Sequence, residues 1–386
     1  MRASKFLGAL FLCFYCIFAV GLKLLLMKNL RFVLALALAM VFIVPAFAQD
    51  GSSYKITKKG LVKSVVTDDS QTEELNVLKP ILIFKGRYEM DTESGEGRFA
   101  LRSSRVGVQG DVSKYLSYKF MMDLSDNGKF TVLDVYATIK PVKGLKFTFG
   151  QGALPIHNSF TTSPNVIDYA NRPFIGKYLF SSRDIGLTAN YTIKQKGFPI
   201  AVEAGIFNGD GINNPVWTKK FAYSGRVLFG SMTGFRATAK FLSYNADETN
   251  NTFIWGADLR YENSDFKIEA EYATKTNKSE IVNPEGEVLS LAYVQSMVKI
   301  PVQSNTFKSI NPCLRWDGAG YDILDRGLGC NKATAGVNFV FNTDVVTSLF
   351  RINYEHFFNN SMDMSGMFTK PHQNTNNLSV EMLIVF

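Results

Sequence analysis

Histidine and tryptophan each occur only three times in the 386 residues, and cysteine four times. So few imidazoles leave little material for acid–base catalysis or a zinc site. No glycine-rich phosphate loop, dinucleotide fingerprint or nucleophile elbow is present. His157, His356 and His372 fall in or beside expected loops with no nucleophile motif nearby. The Asp-Gly runs "GDGINN" at Gly209 and "WDGAGYD" at Trp316 lack the spaced carboxylates of a calcium loop and read as turns. No enzyme, cofactor or metal is expected. Past Gln49 no apolar run approaches the ~20 residues of a membrane-crossing helix. Charge of one sign is scarce too. The formal net charge is +8, but Arg2, Lys5, Lys23, Lys28 and Arg31 supply five of those positives before residue 49, with no acid among them. The remaining +3 is no electrostatic footprint for nucleic acid, and none is expected as a partner.

What is abundant points to strands. Phenylalanine occurs 32 times and tyrosine 16 times, and aromatic side chains suit a pleated, half-buried surface. The chain opens differently. From Met27, "MKNLRFVLALALAMVFIVPAFAQD" has a basic start, an apolar run and the small-residue site Ala46-Phe47-Ala48. That is the layout of a secretory signal, with cleavage expected after Ala48. Residues 1–48 are therefore read as a leader with its true start at Met27. A long signal or a membrane anchor is the alternative for residues 1–26. Residues 49–76 lack strong alternation and are expected to form a periplasmic or plug segment, and residues 77–386 the main domain. Only Cys313 and Cys330 lie beyond the leader. In an oxidising compartment a bridge between them is the expectation, with two unrelated thiols as the alternative.

From residue 77 onward the sequence breaks into short period-two segments. "FIWGADLRYE" sets Phe253, Trp255, Ala257, Leu259 and Tyr261 on one face against Gly256, Asp258, Arg260 and Glu262. "DFKIEAEYAT" sets Phe266, Ile268, Ala270 and Tyr272 against Lys267, Glu269 and Glu271. The last segment does the same with Leu378, Val380, Met382, Ile384 and Phe386. About sixteen such segments are legible, most with about 9–11 patterned residues, the length at which a tilted strand crosses a bilayer. Short turns alternate with long polar links, the longest at residues 152–181. The fold expected is all-β: an up-and-down antiparallel transmembrane β-barrel of about 16 strands. Its apolar stripes face lipid and its polar stripes a water-filled lumen. This implies the outer membrane of a Gram-negative bacterium, with membrane lipid and lipopolysaccharide as surroundings.

Function in such a barrel is carried by lumen charge. The alternation sends Arg98, Arg102, Lys119, Lys140, Lys146, Arg226, Arg236, Lys240, Arg260, Lys267, Lys299, Arg315 and Arg351 inward. It also sends in Asp123, Asp134, Asp184, Glu203, Asp258, Glu262, Glu269, Glu271, Asp317, Glu355 and Glu381, a mixed wall with a slight basic lean. The link "GALPIHNSFTTSPNVIDYANRPFIGKYLFSSR" carries Phe160, Ile167, Tyr169, Phe174, Tyr178 and Phe180, too apolar for a solvated tip. It is expected to fold into the lumen, making Arg172, Lys177 and Arg183 the constriction cations. Packing over the rim or at a subunit interface is the alternative.

The order "RSSRVGVQGDV", "YKFMMDLSD", "LDVYATIKPVKGLKFTFGQGALPI" and "SSRDIGL", followed by "LRWDGAGYD", "TAGVNFVF" and "RINYEHF", resembles the phosphate-selective porin O/P family. The resemblance covers most of residues 77–386. It implies a sixteen-strand, trimeric outer-membrane porin with an infolded third extracellular loop. Family members selective for phosphate carry a dense ladder of arginines and lysines, which Asp258, Glu269 and Glu271 interrupt here. The reading is passive diffusion of small hydrophilic solutes with a weak preference for anions such as phosphate, so small ions or anionic solutes are the expected partners. A substrate-specific channel for phosphate, an oligosaccharide or a hydrophobic compound is the alternative. A barrel enzyme and a soluble glycan-binding β protein stand further off.

Overall fold

The computed structural model describes residues 54–57, 60–66, 72–125, 128–156, 158, 167–193, 198–231, 233–245, 250–279, 283–343, 346–359, 367–368 and 372–386. The leader 1–48, its cleavage after Ala48, His157 and Phe160 lie outside them. The chain divides into two units, one of residues 1–55 and 63–73, the other of residues 56–62 and 74–386. In the first, the described residues are strand residues at the edges of β1 (Tyr54–Thr57), β2 (Gly60–Val66) and β3 (Thr72–Asp91). The second unit is the barrel.

After β3 the chain forms β4 (Gly97–Leu101), β5 (Arg105–Ser113), β6 (Leu116–Asp123), β7 (Thr131–Val142) and β8 (Leu145–Ala153). A long link holding the short helix α1 (Phe174–Tyr178) leads to β9 (Arg183–Ile193), β10 (Ile200–Phe207), β11 (Ala222–Gly230), β12 (Gly234–Asn245) and β13 (Asn250–Glu262). Then follow β14 (Phe266–Ser279), β15 (Asn283–Val298), β16 (Ile300–Pro301), β17 (Phe307–Tyr321), α2 (Ile323–Arg326), β18 (Cys330–Phe341), β19 (Thr347–Asn359) and β20 (Asn377–Val385). Strands β4 and β5 are two halves of one stave, as are β15 and β16. From β3 to β20 this makes sixteen antiparallel staves. The last pairs with the first, from Asn377 opposite Asp91 to Val385 opposite Ile83. That pairing closes the sheet, so the described staves leave no edge.

The alternation sets the faces. Along β13, Phe253, Trp255, Leu259 and Tyr261 are exposed on the outer surface, whereas Thr252, Ile254, Asp258 and Arg260 are buried inside. In β14, Phe266 and Ile268 point out, while Lys267, Glu269 and Glu271 point in. A soluble protein hides its apolar side chains; here the exterior is apolar and the interior charged, an inversion that only an apolar solvent rewards. Outward aromatic pairs such as Tyr261–Phe266, at 5.5 Å, sit near the short-turn rim, as a membrane-interface girdle requires.

Two places depart from simple alternation. Gly86 stands opposite Leu101 but Ile83 opposite Arg105, so the β4–β5 stave carries one extra residue. Ser103 takes φ 60, and the Ser104 hydroxyl joins the ladder, accepting from the Lys85 N–H at 3.0 Å and donating to its carbonyl at 3.2 Å. This bulge exchanges the faces, turning both Arg102 and Arg105 inward. The second departure is a correction. Cys313 lies opposite Gly336, and Cys330 opposite Ala319. Six strand positions from Cys313 to Ala319 separate the two by about 20 Å, against the ~7 Å limit between bonded cysteine Cα atoms. Both are buried free thiols, and the expected bridge is not formed.

The lipid-facing assignment predicts that Ala257→Arg, on the outer face midway along β13, costs about 2–4 kcal/mol of folding stability in vesicles, by the cost of a basic side chain near the midplane. The lumen substitution Asn190→Arg is expected to cost far less. Urea titrations of the two variants in lipid check this; equal losses would remove the lipid from the outer face.

Candidate functional site

The long link between β8 and β9 folds into the barrel. Its apolar residues Leu154, Ile156, Phe174, Ile175 and Leu179 are buried against inward Leu242, Ile254, Ala273, Leu291 and Phe357, near the long-loop rim. Met367 and Phe368 of the last long loop close over the same cluster, the Phe368 ring 5.5 Å from that of Tyr178 and 6.1 Å from that of Phe174. Each fully buried large side chain contributes about 1.5–3 kcal/mol toward holding the link inside the barrel.

Below this plug the link meets charge. The Phe174 N–H donates to Asp317 Oδ1 at 3.0 Å and the Ala170 N–H to Asn353 Oδ1 at 2.7 Å. Asn171 Nδ2 donates to Glu355 at 2.9 Å, and Asn158 Nδ2 to Glu269 at 2.8 Å. In the other direction, Arg315 donates to the Asn171 carbonyl at 2.9 Å, Arg351 to the Ile167 carbonyl at 2.7 Å and Arg87 to Asn171 Oδ1 at 2.7 Å. Lys267 pairs with Asp168 at 2.5 Å, and the Tyr169 hydroxyl donates to the Ser296 carbonyl at 3.0 Å. These partners lie on β3, β14, β15, β17 and β19. The link therefore covers one arc of the wall, while inward residues of β5 to β10 line a cavity beside it.

The wall cations named from the sequence divide along this line. Arg236, Lys240, Arg260, Lys267, Arg315 and Arg351 are buried beneath or beside the link. Arg236 and Lys240 each meet Asp258 at 3.0 Å, and Lys240 also meets Glu271. Arg260 meets Glu269 at 3.3 Å, Arg315 meets Asp317 at 2.8 Å, and Arg351 meets Glu381 at 3.1 Å. Such pairs hold position more than they stabilise, because burying each charge costs much of what the pairing returns. On the open arc Lys119 pairs with Asp134 at 2.8 Å, Lys140 with Asp111 at 2.8 Å and Arg226 with Glu203 at 2.5 Å. Arg102 reaches Glu89 at 3.4 Å.

The three loop cations also separate. Arg183 opens β9, buried and bound to Asp134 at 2.6 Å. Arg172 is partly exposed. Burial, then the charges of Arg105 and Arg183, press it downward, though a guanidinium keeps its proton at ordinary pH. Lys177 is water-exposed on α1, its ammonium 4.9 Å from the Tyr178 ring centre. Surrounding protein, and next the charge of Lys332, lower it to about 8.

Alternation in the sequence missed Lys79, Lys85, Arg87, Arg105 and Lys332. Lys85, Arg87 and Glu381 form one buried knot, with Glu381 3.1 Å from Lys85 and 2.7 Å from Arg87. Lys79 is exposed on the lumen side of β3, opposite Gln109. The open arc encloses a cavity of about 450 Å³ whose walls include Lys79, Lys119, Lys140 and Lys146. Gly150 takes φ +127, and a Cβ there would meet the Val135 carbonyl oxygen at 2.2 Å, so glycine is obligatory and leaves the wall bare.

Among known proteins, the sequence model of the family described as phosphate-selective porin O and P matches residues 83–307. No curated protein sequence matches. Among solved structures, the chain is similar to an anion-selective porin from Comamonas acidovorans, at 12% identity over 80% of this chain and 99% of that one, with a TM-score of 0.55. It is similar to OprB of Pseudomonas putida, at 10% identity over 80% and 94%, with a TM-score of 0.57. It is also similar to OmpT, an outer membrane protein of Vibrio cholerae in trimer form, at 13% identity over 80% and 99%, with a TM-score of 0.54. At these identities the structures share the barrel fold.

The lowered Lys177 predicts a pH response with a definite sign. Its ammonium is charged below about 8 and neutral above. Any anion preference measured by reversal potential in asymmetric KCl therefore declines from pH 7 to pH 9. Lys177→Arg is expected to flatten that decline, and an unchanged slope would remove Lys177 from the conducting path.

Proposed function

Because the chain belongs to the phosphate-selective porin O and P family, its barrel is an outer-membrane diffusion channel, and we propose that this channel prefers small anions and serves a Gram-negative bacterium. One observation carries the preference. Apart from fully buried Asp184, which accepts from the Ile185 and Gly209 N–H groups instead, the wall acids on this arc are matched by cations: Glu203 by Arg226, Asp111 by Lys140, Asp123 by Arg105, and Asp134 by Lys119 and Arg183. Lys79, Lys146 and Lys177 have no carboxylate partner among the described residues. The surplus lumen charge is then positive and lies on the water-exposed arc. In a narrow, low-dielectric passage such a surplus raises the local concentration of anions. Since the acids interleave with the basic positions, the preference is for small anions as a class rather than for phosphate alone.

By analogy with the trimeric OmpT, the assembled form proposed is a homotrimer in lipid and lipopolysaccharide. The mature chain is proposed to begin at Gln49, following the small-residue site Ala46-Phe47-Ala48; intact mass of the membrane-extracted protein checks this, and a mass that includes residues 1–48 would refute it.

Planar-bilayer reversal potentials in asymmetric KCl test the selectivity. The wild-type pore is expected to favour chloride. Lys79→Glu with Lys146→Glu is expected to reverse the sign, because it places two unmatched carboxylates on the open arc. Reversing Arg172, Lys177 and Arg183 is expected to shift the potential the same way. Cation preference in the wild type would overturn the proposal.

A further inference from the structure

The cross-strand register lines up hydroxyl side chains on the open arc. Ser117 stands opposite Thr138, Thr138 opposite Thr148, and Thr148 opposite Thr188. Beyond Thr188 the row passes through Gly205 to Ser224. The Thr138 and Thr148 hydroxyls are 2.9 Å apart. Ser117, Thr138, Thr148 and Thr188 all line the cavity. With strands about 4.8 Å apart, these four span about 14 Å. That is far longer than an inorganic oxyanion.

The row has charge beside it. On β8, Lys146 lies two residues from Thr148 on the same face, exposed and opposite Asn190. Across the cavity Lys79 is likewise exposed. A bare oxyanion only accepts hydrogen bonds. A hydroxyl row donates and accepts along its length, and so does a solute bearing its own hydroxyls. The flanking ammonium accounts for one negative charge at one end of that solute. We infer that the row from Ser117 to Thr188, with Lys146, is a binding track for extended polyhydroxylated monoanions of the sugar-acid type. The inference rests on the channel reading and goes beyond its small-anion preference.

Gluconate, hexanoate and phosphate, each as a blocker of chloride current through single wild-type channels, test it. Gluconate and hexanoate share charge and length, but only gluconate carries hydroxyls. Gluconate is expected to block at lower concentration than either of the others. Thr138→Val with Thr148→Val keeps side-chain shape and is expected to weaken gluconate block about thirtyfold, since the two hydroxyl contacts together contribute about 2 kcal/mol. The same pair should leave hexanoate block and chloride conductance within twofold. Lys146→Gln is expected to weaken gluconate and hexanoate alike. Hexanoate or phosphate equal to gluconate in the wild type would overturn the track, as would a valine pair that leaves gluconate block unchanged. The first comparison needs no variant, so a valine pair that misassembles does not shelter the inference. A pore that conducts no KCl would instead refute the channel reading itself.

Discussion

Everything in this molecule depends on the hydrogen-bonded seam between β20 and β3. Nine consecutive residues, Asn377 to Val385, stand opposite Asp91 to Ile83. In hydrocarbon no water is available for an unpaired N–H or C=O, and each one left open costs several kcal/mol. An open sheet of this length would present two such edges. Closure removes both at once, and with them the need for a packed core. The apolar side chains are then free to face out, and every charged alternate is committed to the inside.

That commitment creates the problem the link between β8 and β9 solves. An empty lumen lined by alternating signs would be wide and unselective. The link fills one arc with an apolar cluster above and a set of paired charges below. Glu381 illustrates the economy of the arrangement. A single buried carboxylate lies against Lys85, Arg87 and Arg351, and the latter two also reach the link. The wall there is fixed in position and buried beneath the link. The opposite arc keeps a cavity, its glycines and the exposed Lys79 and Lys146, which have no carboxylate partner among the described residues. The electrostatic character of the pore therefore follows from which arc the link covers more than from the overall balance of wall charge.

How much of this was legible in the sequence varied along the chain for physical reasons. Strands β13 and β14 alternate without interruption, and their faces could be read directly. The terminal strand was as clear. Strand β3 was not: Ile81, Leu82, Ile83 and Phe84 form a continuous apolar run that hides its period, so Lys79, Lys85 and Arg87 escaped the inward list. Its run is apolar on both faces because inward Ile83 is buried by protein while Leu82 and Phe84 face outward. Arg105 escaped because a one-residue bulge reverses the faces, and the only trace in the sequence is the pair Ser103-Ser104 in an otherwise patterned segment. The infolding of the link was legible from its aromatics. Its landing site was not, since pairing Asp168 with Lys267 or Asn171 with Glu355 requires contacts about a hundred or more positions apart. The cysteine pairing failed because two residues near one loop in sequence were six rungs apart on their ladder.

Register supplies the last step. In an antiparallel barrel one rung joins residues from successive staves, so a row of like side chains requires matching positions in several separate segments. Ser117, Thr138, Thr148 and Thr188 meet that condition although nothing local links them. Threonine suits strands anywhere, and on the covered arc Thr238, Thr274 and Thr334 are buried, each with a hydroxyl that has no hydrogen-bond partner. Strand propensity alone thus accounts for threonines on both arcs. It does not account for the cavity beside one set, nor for the exposed lysine two residues from Thr148. Burial does not separate the two sets, since Thr138 is buried as well; what separates them is that the Thr138 hydroxyl meets that of Thr148 beside a cavity, as the proposed track requires, whereas the covered hydroxyls meet no partner among the described residues.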